Sequence, residues 1–558
     1  MDVKVRTAAE VLVDQLILHG VRHVFCVPGE SYLSVLDAMH DRDITLTVCR
    51  QEGGAAIMAE AVGKATGRPG VCFVTRGPGA TNAAHGVHIA HQSSSPMILF
   101  AGQVERGHRG RDAWQELDYP AVFGSMTKWS TEIDDPARVS ELVARAFHVA
   151  ISGQPGPVVI SLPQDMLEEP VNVVDAPPSA PVETSPGDAE MAQLAELLAG
   201  ASSPVVLLGG SRWDEAARAA VTRFAERFQL PVATGFRRLP LFDPLHPNYA
   251  GDLGLGPNPA LLARVKAADL VLAIGARISD VTSQGYTLFD VPTPKTKLVH
   301  VLPEPSELGR VWTPHLAINA TPTRFAAALD RLTPPQSPAW RGSAETGHAE
   351  YLSWSEAPTP QPGAVNIAEI MIWLREHLPA DAILTNGAGN FAAWVNRFYR
   401  VRRFGGHLGP NSGSMGYGVP AAVAMQRLYP GRRVVAVSGD GDFLMNGQEF
   451  ATAVQYGLPI VVLVFDNATY GTIRMHQERE YPGRVIATDL KNPDFAAYAR
   501  AFGGFGATVE RTADFAPAFE TAVASKLPAI LHIKFDPDGI SPTATLSGIR
   551  AAALAQKS

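Results

Sequence analysis

Short unbroken apolar runs alternate along this chain with longer stretches in which apolar residues return at helical spacing, a pattern that predicts strands and helices in regular succession. The first helix is predicted to open at Thr7-Ala-Ala-Glu10, which has capping-box spacing, and to close at Gly20. Strands follow at residues 21–27, 45–49, 71–75, 96–101 and 158–162, with helices at about 53–66 and from the turn Gly77-Pro78-Gly79 to about 91. A second cycle runs from a helix at about 189–199 through strands at 205–208 and 270–274 to a last strand at 298–302. A third runs from a helix near 365–378 and a strand at 382–385 through strands at 434–437 and 460–465 to one at 529–534. Such alternation belongs to an α/β fold, here three doubly wound parallel-sheet units at residues 1–170, 189–333 and 364–535, with a short tail at 536–558. The segments 171–188 and 334–363, rich in Pro, Ala, Ser and Thr, are expected to be linkers.

Composition agrees with several domains rather than one, since 558 residues exceed what a single core encloses. With 46% hydrophobic and 18% charged residues, the chain has the make-up of a soluble globular protein. A net charge of −8 and the lack of a basic stripe give no support for nucleic-acid binding. Cys26, Cys49 and Cys72 are too few and too spread for a disulfide framework or a zinc site, and are expected to be buried thiols in a reducing compartment. No apolar signal core opens the sequence and no apolar run approaches a membrane span, so the expectation is a cytoplasmic protein without a membrane partner.

One stretch, from Val434 to Gly471, implies a particular chemistry. Its order is strand, loop, helix, strand, loop, and in such a unit both loops lie at the same carboxyl edge of a parallel sheet. Asp440 and Asn467 can therefore converge on one ion, the first as an anionic oxygen ligand and the second as a neutral one. Gly439 and Gly441 let the backbone approach a phosphate closely, and hard oxygen ligands with positions to spare suit Mg²⁺ shared with a diphosphate. A plainer account makes GDG a strand-to-helix turn and Asn467 a turn residue.

GDG followed about 27 residues on by Asn resembles the diphosphate and Mg²⁺ motif of thiamine-diphosphate (ThDP) enzymes. Other motifs extend the resemblance. Glu52, in Arg50-Gln-Glu52-Gly-Gly, precedes Gly67-Arg-Pro-Gly70 as the family's glutamate does, although a carboxylate at a helix start also simply suits the helix dipole. Gly77-Pro78-Gly79-Ala80-Thr81-Asn82 matches the next motif and brings Gly79 and Asn82 into the expected cofactor site. By the resemblance, Glu52 hydrogen-bonds the cofactor's aminopyrimidine nitrogen and so helps to form the nucleophilic ylid. Met415, in Gly413-Ser-Met415-Gly-Tyr-Gly418, matches the apolar wedge that bends the cofactor, whereas a lone Met is elsewhere a core residue. Backbone N–H groups in Asn386-Gly-Ala-Gly389-Asn390-Phe391 are expected to hold the diphosphate, with Asp442 and Gly471 beside it, and Thr469 supplies a backbone carbonyl to Mg²⁺.

PGES at 28–31, GPGATN, Ala101-Gly102-Gln103-Val104 and SMGYG together most resemble the acetolactate synthase large subunit. The resemblance implies a 2-oxo acid donor with pyruvate as default, a carbonyl acceptor, and a homodimer or homotetramer with active sites at subunit interfaces. Gln103 and Lys128 stand near the region of the substrate funnel in those enzymes, although Lys128 also suits a solvated surface. FAD in the middle unit follows from the same resemblance, carried by Gly209-Gly210 and Gly251-Asp-Leu-Gly254, which also read as ordinary turns.

Departures from the family pattern concern the substrate. Val281 stands where acetolactate synthases have an arginine for the acceptor carboxylate, and His476 where they have a tryptophan. Arg277 and Arg474 are the candidate substitutes. Asp442 adds an anion beside the diphosphate, and Gln51 and Gly53 are unexpected neighbours of Glu52. His85, His88 and His91 share a helix face but lack the carboxylate of a zinc-protease motif. Two alternatives stay open: a non-oxidative 2-oxo acid decarboxylase or carbon–carbon lyase, and an idle binding or regulatory protein on the same fold.

Overall fold

The computed structural model describes residues 5–557; residues 1–4 and 558, the outermost parts of the expected first unit and tail, lie outside the described residues. The described chain holds three six-stranded sheets, each parallel throughout. Their central strands are apolar on both faces, as a parallel sheet covered by helices on both sides requires. Met97–Gln103, Pro157–Pro163 and Leu270–Ile274 are buried at every position.

In the first sheet the neighbours run Thr45–Val48, His23–Cys26, Gly70–Val74, Met97–Gln103, Pro157–Pro163, Trp129–Glu132. Numbered along the chain, that order is 2-1-3-4-6-5. The third sheet, from His407–Leu408 through Ile383–Asn386, Val434–Gly439, Val461–Asp466 and Ala529–Lys534 to Phe505–Val509, has the same order. The middle sheet differs: its strands lie 3-2-1-4-5-6, with Pro204–Leu208 beside Leu270–Ile274 at the point where the order reverses. Sequence cycles that look alike thus fold into two topologies, and in both the crevice at the carboxyl ends of the strands is where such sheets receive ligands.

The chain divides into two compact units. One comprises residues 1–182, 410–431 and 443–460, and the other 183–409, 432–442 and 461–558. In the first, the capping box predicted at Thr7 and Glu10 is present, and Gly20 has a left-handed φ of 80° just beyond the helix Ala8–Leu18. Arg6–Thr7 pairs antiparallel with Pro170–Val171 and ties the two ends of the first αβ segment together. The three cysteines are free and buried, and burial pushes the Cys26 thiol up to about 12.

Several elements depart from the expectations, among them the strands Val232–Gly235, Tyr249–Leu253, His407–Leu408 and Phe505–Val509, none of which was expected. Trp129–Glu132 and Leu316–Asn319 are edge strands, so the middle sheet continues past residue 302. Half-buried edges mix polar with apolar residues and leave no apolar run to find. The expected second linker contains the helix Ser343–Ser355, which offers only a thin apolar face; Tyr351 stands edge-on to Tyr249 at 4.9 Å. The expected tail contains the helix Leu546–Lys557, which packs on Gly471–Glu480 with only Ala553 buried. Among the described residues no helix is long and apolar enough to cross a membrane.

Candidate active site

The strand Val434–Gly439 passes straight into the helix Asp440–Asn446, with no intervening loop. Its parallel neighbour Val461–Asp466 is in register, Gly439 opposite Phe465, so Asp440 and the Asp466-Asn467 pair leave the sheet at one edge. Asp440 is only 4% exposed. Its carboxylate accepts the Gly441 N–H at 2.9 Å and Asn492 Nδ2 at 2.8 Å. The same Asn492 nitrogen donates to Asp466 at 2.8 Å, so one amide bridges two carboxylates. Asp466 also accepts from His532 Nε2 at 2.7 Å and from the Ala468 N–H at 2.9 Å.

These surroundings separate the two acids. Burial, with Asp466 nearby, raises the pKa of Asp440. Asp466 is held below the ordinary range despite its own burial, by the donors His532, Ala468 and Asn492. A cation beside Asp440 would reverse the burial effect there, because it favours the charged carboxylate.

Asn467 turns the chain: its Oδ1 accepts the Thr469 N–H at 3.2 Å and Thr469 Oγ1 at 3.1 Å, and Ala468 between them is left-handed at φ 55°. The Thr469 carbonyl accepts the Gly471 N–H at 2.8 Å, and Gly471 opens the helix Gly471–Glu480. Gly441 is required sterically, since a Cβ there would fall 2.6 Å from the Tyr470 ring. Beyond the adjacent strand Ile383–Asn386, Asn390 precedes the helix Phe391–Phe398 and accepts from Thr472 Oγ1 at 2.9 Å. Phe391 packs against Gly439, and Gly389 holds a φ of 158°. Asp442, 2% exposed, accepts the Ala388 N–H at 3.1 Å and so removes that donor from the group expected to hold a phosphate.

The donor set at this edge suits Mg²⁺: a carboxylate, an amide oxygen and a backbone carbonyl are all hard oxygens. Among the described residues no three His, Cys, Asp or Glu side chains gather to hold an ion by themselves. Phosphate oxygens would have to complete the shell, as the motif implies.

Glu52, Gly79, Asn82, Gln103 and Met415 belong to the other unit. Glu52 opens the helix Glu52–Thr66, with Gln51 as N-cap accepting the Gly54 N–H at 3.0 Å. Glu52 Oε2 accepts from Asn82 Nδ2 at 3.0 Å, and Gly79 leaves space beside Oε1. The helix start is fixed from below by Glu449, fully buried, whose carboxylate accepts the N–H groups of Arg50 and Gln51 at 3.0 Å each and Thr452 Oγ1 at 2.5 Å. Further along the same helix, buried Glu60 accepts from Tyr417 Oη and Ser95 Oγ, both at 2.7 Å. Met415, half-buried two residues before Tyr417, is thereby positioned relative to the Glu52 helix.

Gln103 is fully buried, with Nε2 donating to the Leu117 carbonyl at 2.8 Å and Oε1 accepting the Val104 N–H at 2.9 Å. Both ends of its amide serve the backbone at this strand end. Lys128 donates to the Ser152 carbonyl. Neither candidate arginine is uncommitted: Arg277 pairs with Glu307 at 3.2 Å and Arg474 with Asp489. His476 is exposed and Val281 half-buried.

In the middle sheet the strand order is that of dinucleotide-binding folds, and packing accounts for Gly209 and Gly210. A Cβ on Gly210 would fall 1.9 Å from the Gly275 carbonyl oxygen, and one on Gly209 would meet Ala276 at 2.8 Å. These residues do not by themselves call for a flavin.

Residues 6–122 match the family model described as thiamine pyrophosphate enzyme, N-terminal TPP binding domain; residues 191–329 match its central domain and 387–533 its C-terminal TPP binding domain. The chain is 34% identical over 521 residues to the acetolactate synthase large subunit of Parasynechococcus marenigrum, covering 90% of this chain and 83% of that protein. It is 31% identical to the acetolactate synthase isozyme 2 large subunit of Escherichia coli, covering 95% of each. To the acetolactate synthase of Bacillus subtilis it is 30% identical, over 95% of this chain and 93% of the other. A sheet edge that gathers Asp440, Asn467 and Thr469, a helix that opens on Glu52, and similarity along almost the whole chain lead to one conclusion: the chain belongs to the thiamine pyrophosphate enzyme family, as an enzyme of the transferase and carboligase type similar to acetolactate synthase large subunits.

Proposed function

We propose that this enzyme binds ThDP with Mg²⁺, decarboxylates a 2-oxo acid and transfers the acyl carbanion equivalent to a carbonyl acceptor, with pyruvate giving 2-acetolactate as the default. The observation that carries this proposal is the placement of Asp440 and Asn467 at the carboxyl ends of adjacent parallel strands, the first opening a helix and the second lying in the turn that leads to one.

When bound, ThDP would supply a carbon nucleophile for the 2-oxo acid carbonyl and an electron sink for its decarboxylation. The chain supplies position and protons. Asp440, Asn467 Oδ1 and the Thr469 carbonyl are assigned to Mg²⁺, and the N–H groups at the start of the helix Phe391–Phe398 to the diphosphate. Glu52 is assigned to hold a proton at the aminopyrimidine ring nitrogen, with Asn82 orienting its carboxylate. Met415 is assigned to separate the two cofactor rings. Following the resemblance, a homodimer is the smallest active assembly. None of these steps needs a flavin.

A second reading keeps the cofactor and changes the acceptor to a proton or an aldehyde. It is favoured by Val281 at the position of the acceptor arginine and by the engagement of Arg277 and Arg474 with carboxylates, which leaves neither committed to a substrate. Purified protein supplied with pyruvate, ThDP and Mg²⁺ distinguishes the two. Acetolactate formed in step with CO₂ supports the first; CO₂ without acetolactate rejects it in favour of the second.

A further inference from the structure

The peptide group between Gly387 and Ala388 is held at both ends by charged side chains. Arg237 Nη2 donates to the Gly387 carbonyl at 3.0 Å, and the Ala388 N–H donates to Asp442 Oδ1 at 3.1 Å. Both side chains are buried, Arg237 at 3% and Asp442 at 2% exposure. Asn386 Nδ2 adds a second donor to the Gly387 carbonyl at 2.8 Å and is itself fixed by His407 Nε2, which donates to Asn386 Oδ1 at 2.7 Å. The negative carbonyl end of the peptide dipole therefore faces a cation and its positive N–H end an anion in a water-poor site, where charge-assisted bonds are stronger than neutral ones and polarise one another. A flipped peptide would turn its carbonyl toward Asp442 and its N–H toward Arg237.

Two further features mark this as a built arrangement. A Cβ on Gly387 would land 2.0 Å from Asp442 Oδ1, so only glycine admits the carboxylate at this distance. Arg237 follows the middle-sheet strand Val232–Gly235 and holds a left-handed φ of 61°, a conformation that a non-glycine residue keeps only when its surroundings impose it. The turn 387–390 leads directly into the helix Phe391–Phe398, where the Ala392 and Ala393 N–H groups donate to the Gly389 and Asn390 carbonyls at 3.1 and 2.9 Å and the earlier N–H groups precede the first turn of the helix.

We infer that Arg237 and Asp442 are positioning residues that clamp the Gly387–Ala388 peptide, so that the turn before Phe391 is already in its anion-receiving form before any cofactor arrives. This rests on the proposal that the turn receives the diphosphate. Asp442 then has a role for which its charge is needed: it occupies the Ala388 N–H and leaves those of Gly389, Asn390 and Phe391 for the phosphate. Pre-organisation of this kind raises apparent affinity by the fraction of the free protein already competent to bind.

The test uses the full chain with Asp442→Asn, Arg237→Met, Arg237→Lys and the double variant Arg237→Met/Asp442→Asn, each accepted only if its melting temperature stays near that of the parent. Two readouts are taken: hydrogen exchange at residues 387–391 without cofactor, and ThDP affinity in saturating Mg²⁺. The expected result is roughly tenfold faster exchange in Asp442→Asn and in Arg237→Met, with ThDP bound about tenfold more weakly by each. The double variant should be no worse than either single one, because both act on one peptide group, and Arg237→Lys should recover part of the loss. Unchanged exchange, multiplying losses in the double variant, or tighter ThDP binding by Asp442→Asn would overturn the inference. Should the parent fail to bind ThDP, the cofactor proposal fails, and exchange in the free chain still decides whether the clamp exists.

Discussion

The carboxylate of Glu449 accepts the backbone N–H of Gln51 at 3.0 Å, one residue before Glu52. Two parts of the first unit that are distant in sequence are joined there, and the bond fixes the start of the helix that carries the proposed acid. Glu449→Ala would strand the N–H groups of Arg50 and Gln51 and the Thr452 hydroxyl in a buried site. A loss of about 3 kcal/mol is expected by urea unfolding, at about 1–3 kcal/mol for each stranded donor and with partial rescue by water. A loss below about 1 kcal/mol would contradict the anchoring role.

Asp252, beside Gly251 in the middle sheet, has a buried Oδ2 without a hydrogen bond among the described residues, and burial pushes its pKa to about 7. An acid raised in the folded state stabilises most below its unfolded pKa, and that contribution is lost as pH rises through about 7. Relative to Asp252→Asn, the parent should lose about 1.4 kcal/mol per pH unit between about pH 4 and 7. Urea midpoints of both proteins across this window check it; parallel pH profiles would contradict it.

The helix Leu546–Lys557 reaches the helix Gly471–Glu480 through Arg550, whose Nε donates to the buried carboxylate of Glu478 at 2.8 Å. Arg550 is about half exposed, so Arg550→Ala should cost only about 1–2 kcal/mol. The larger effect should be local. Hydrogen exchange across 471–480, which includes His476, should rise while the three sheets stay protected. Since Arg550 and the Gly483 N–H hold Glu478 below the usual carboxylate range, the same loosening should appear in the parent as pH falls through that lowered value.

Where apolar runs are complete, the fold could be read from the sequence. Strands Leu270–Ile274 and Ala529–Lys534 occupy the predicted residues, and the location of Asp440 and Asn467 at one sheet edge followed from parallel topology alone. Legibility ended where a residue works through a partner far away in the chain. Asn492 bridges Asp440 and Asp466, Glu449 holds the start of the Glu52 helix, and Arg237 reaches Gly387, yet none carries a local pattern that announces it. Asp442 was visible as an anomaly, and its contact with Ala388 gives it a structural partner. The helices Ser343–Ser355 and Leu546–Lys557 were hidden because each buries too few apolar residues to show a helical period.

The assignment of Glu52 is tested most directly by deuterium exchange at the thiazolium carbon of bound ThDP, compared between the parent and Glu52→Gln. Glutamine keeps the shape and the contact with Asn82 but cannot hold the proton. The account predicts that the variant still binds ThDP and exchanges slower by orders of magnitude; equal exchange rates in the two proteins would contradict it.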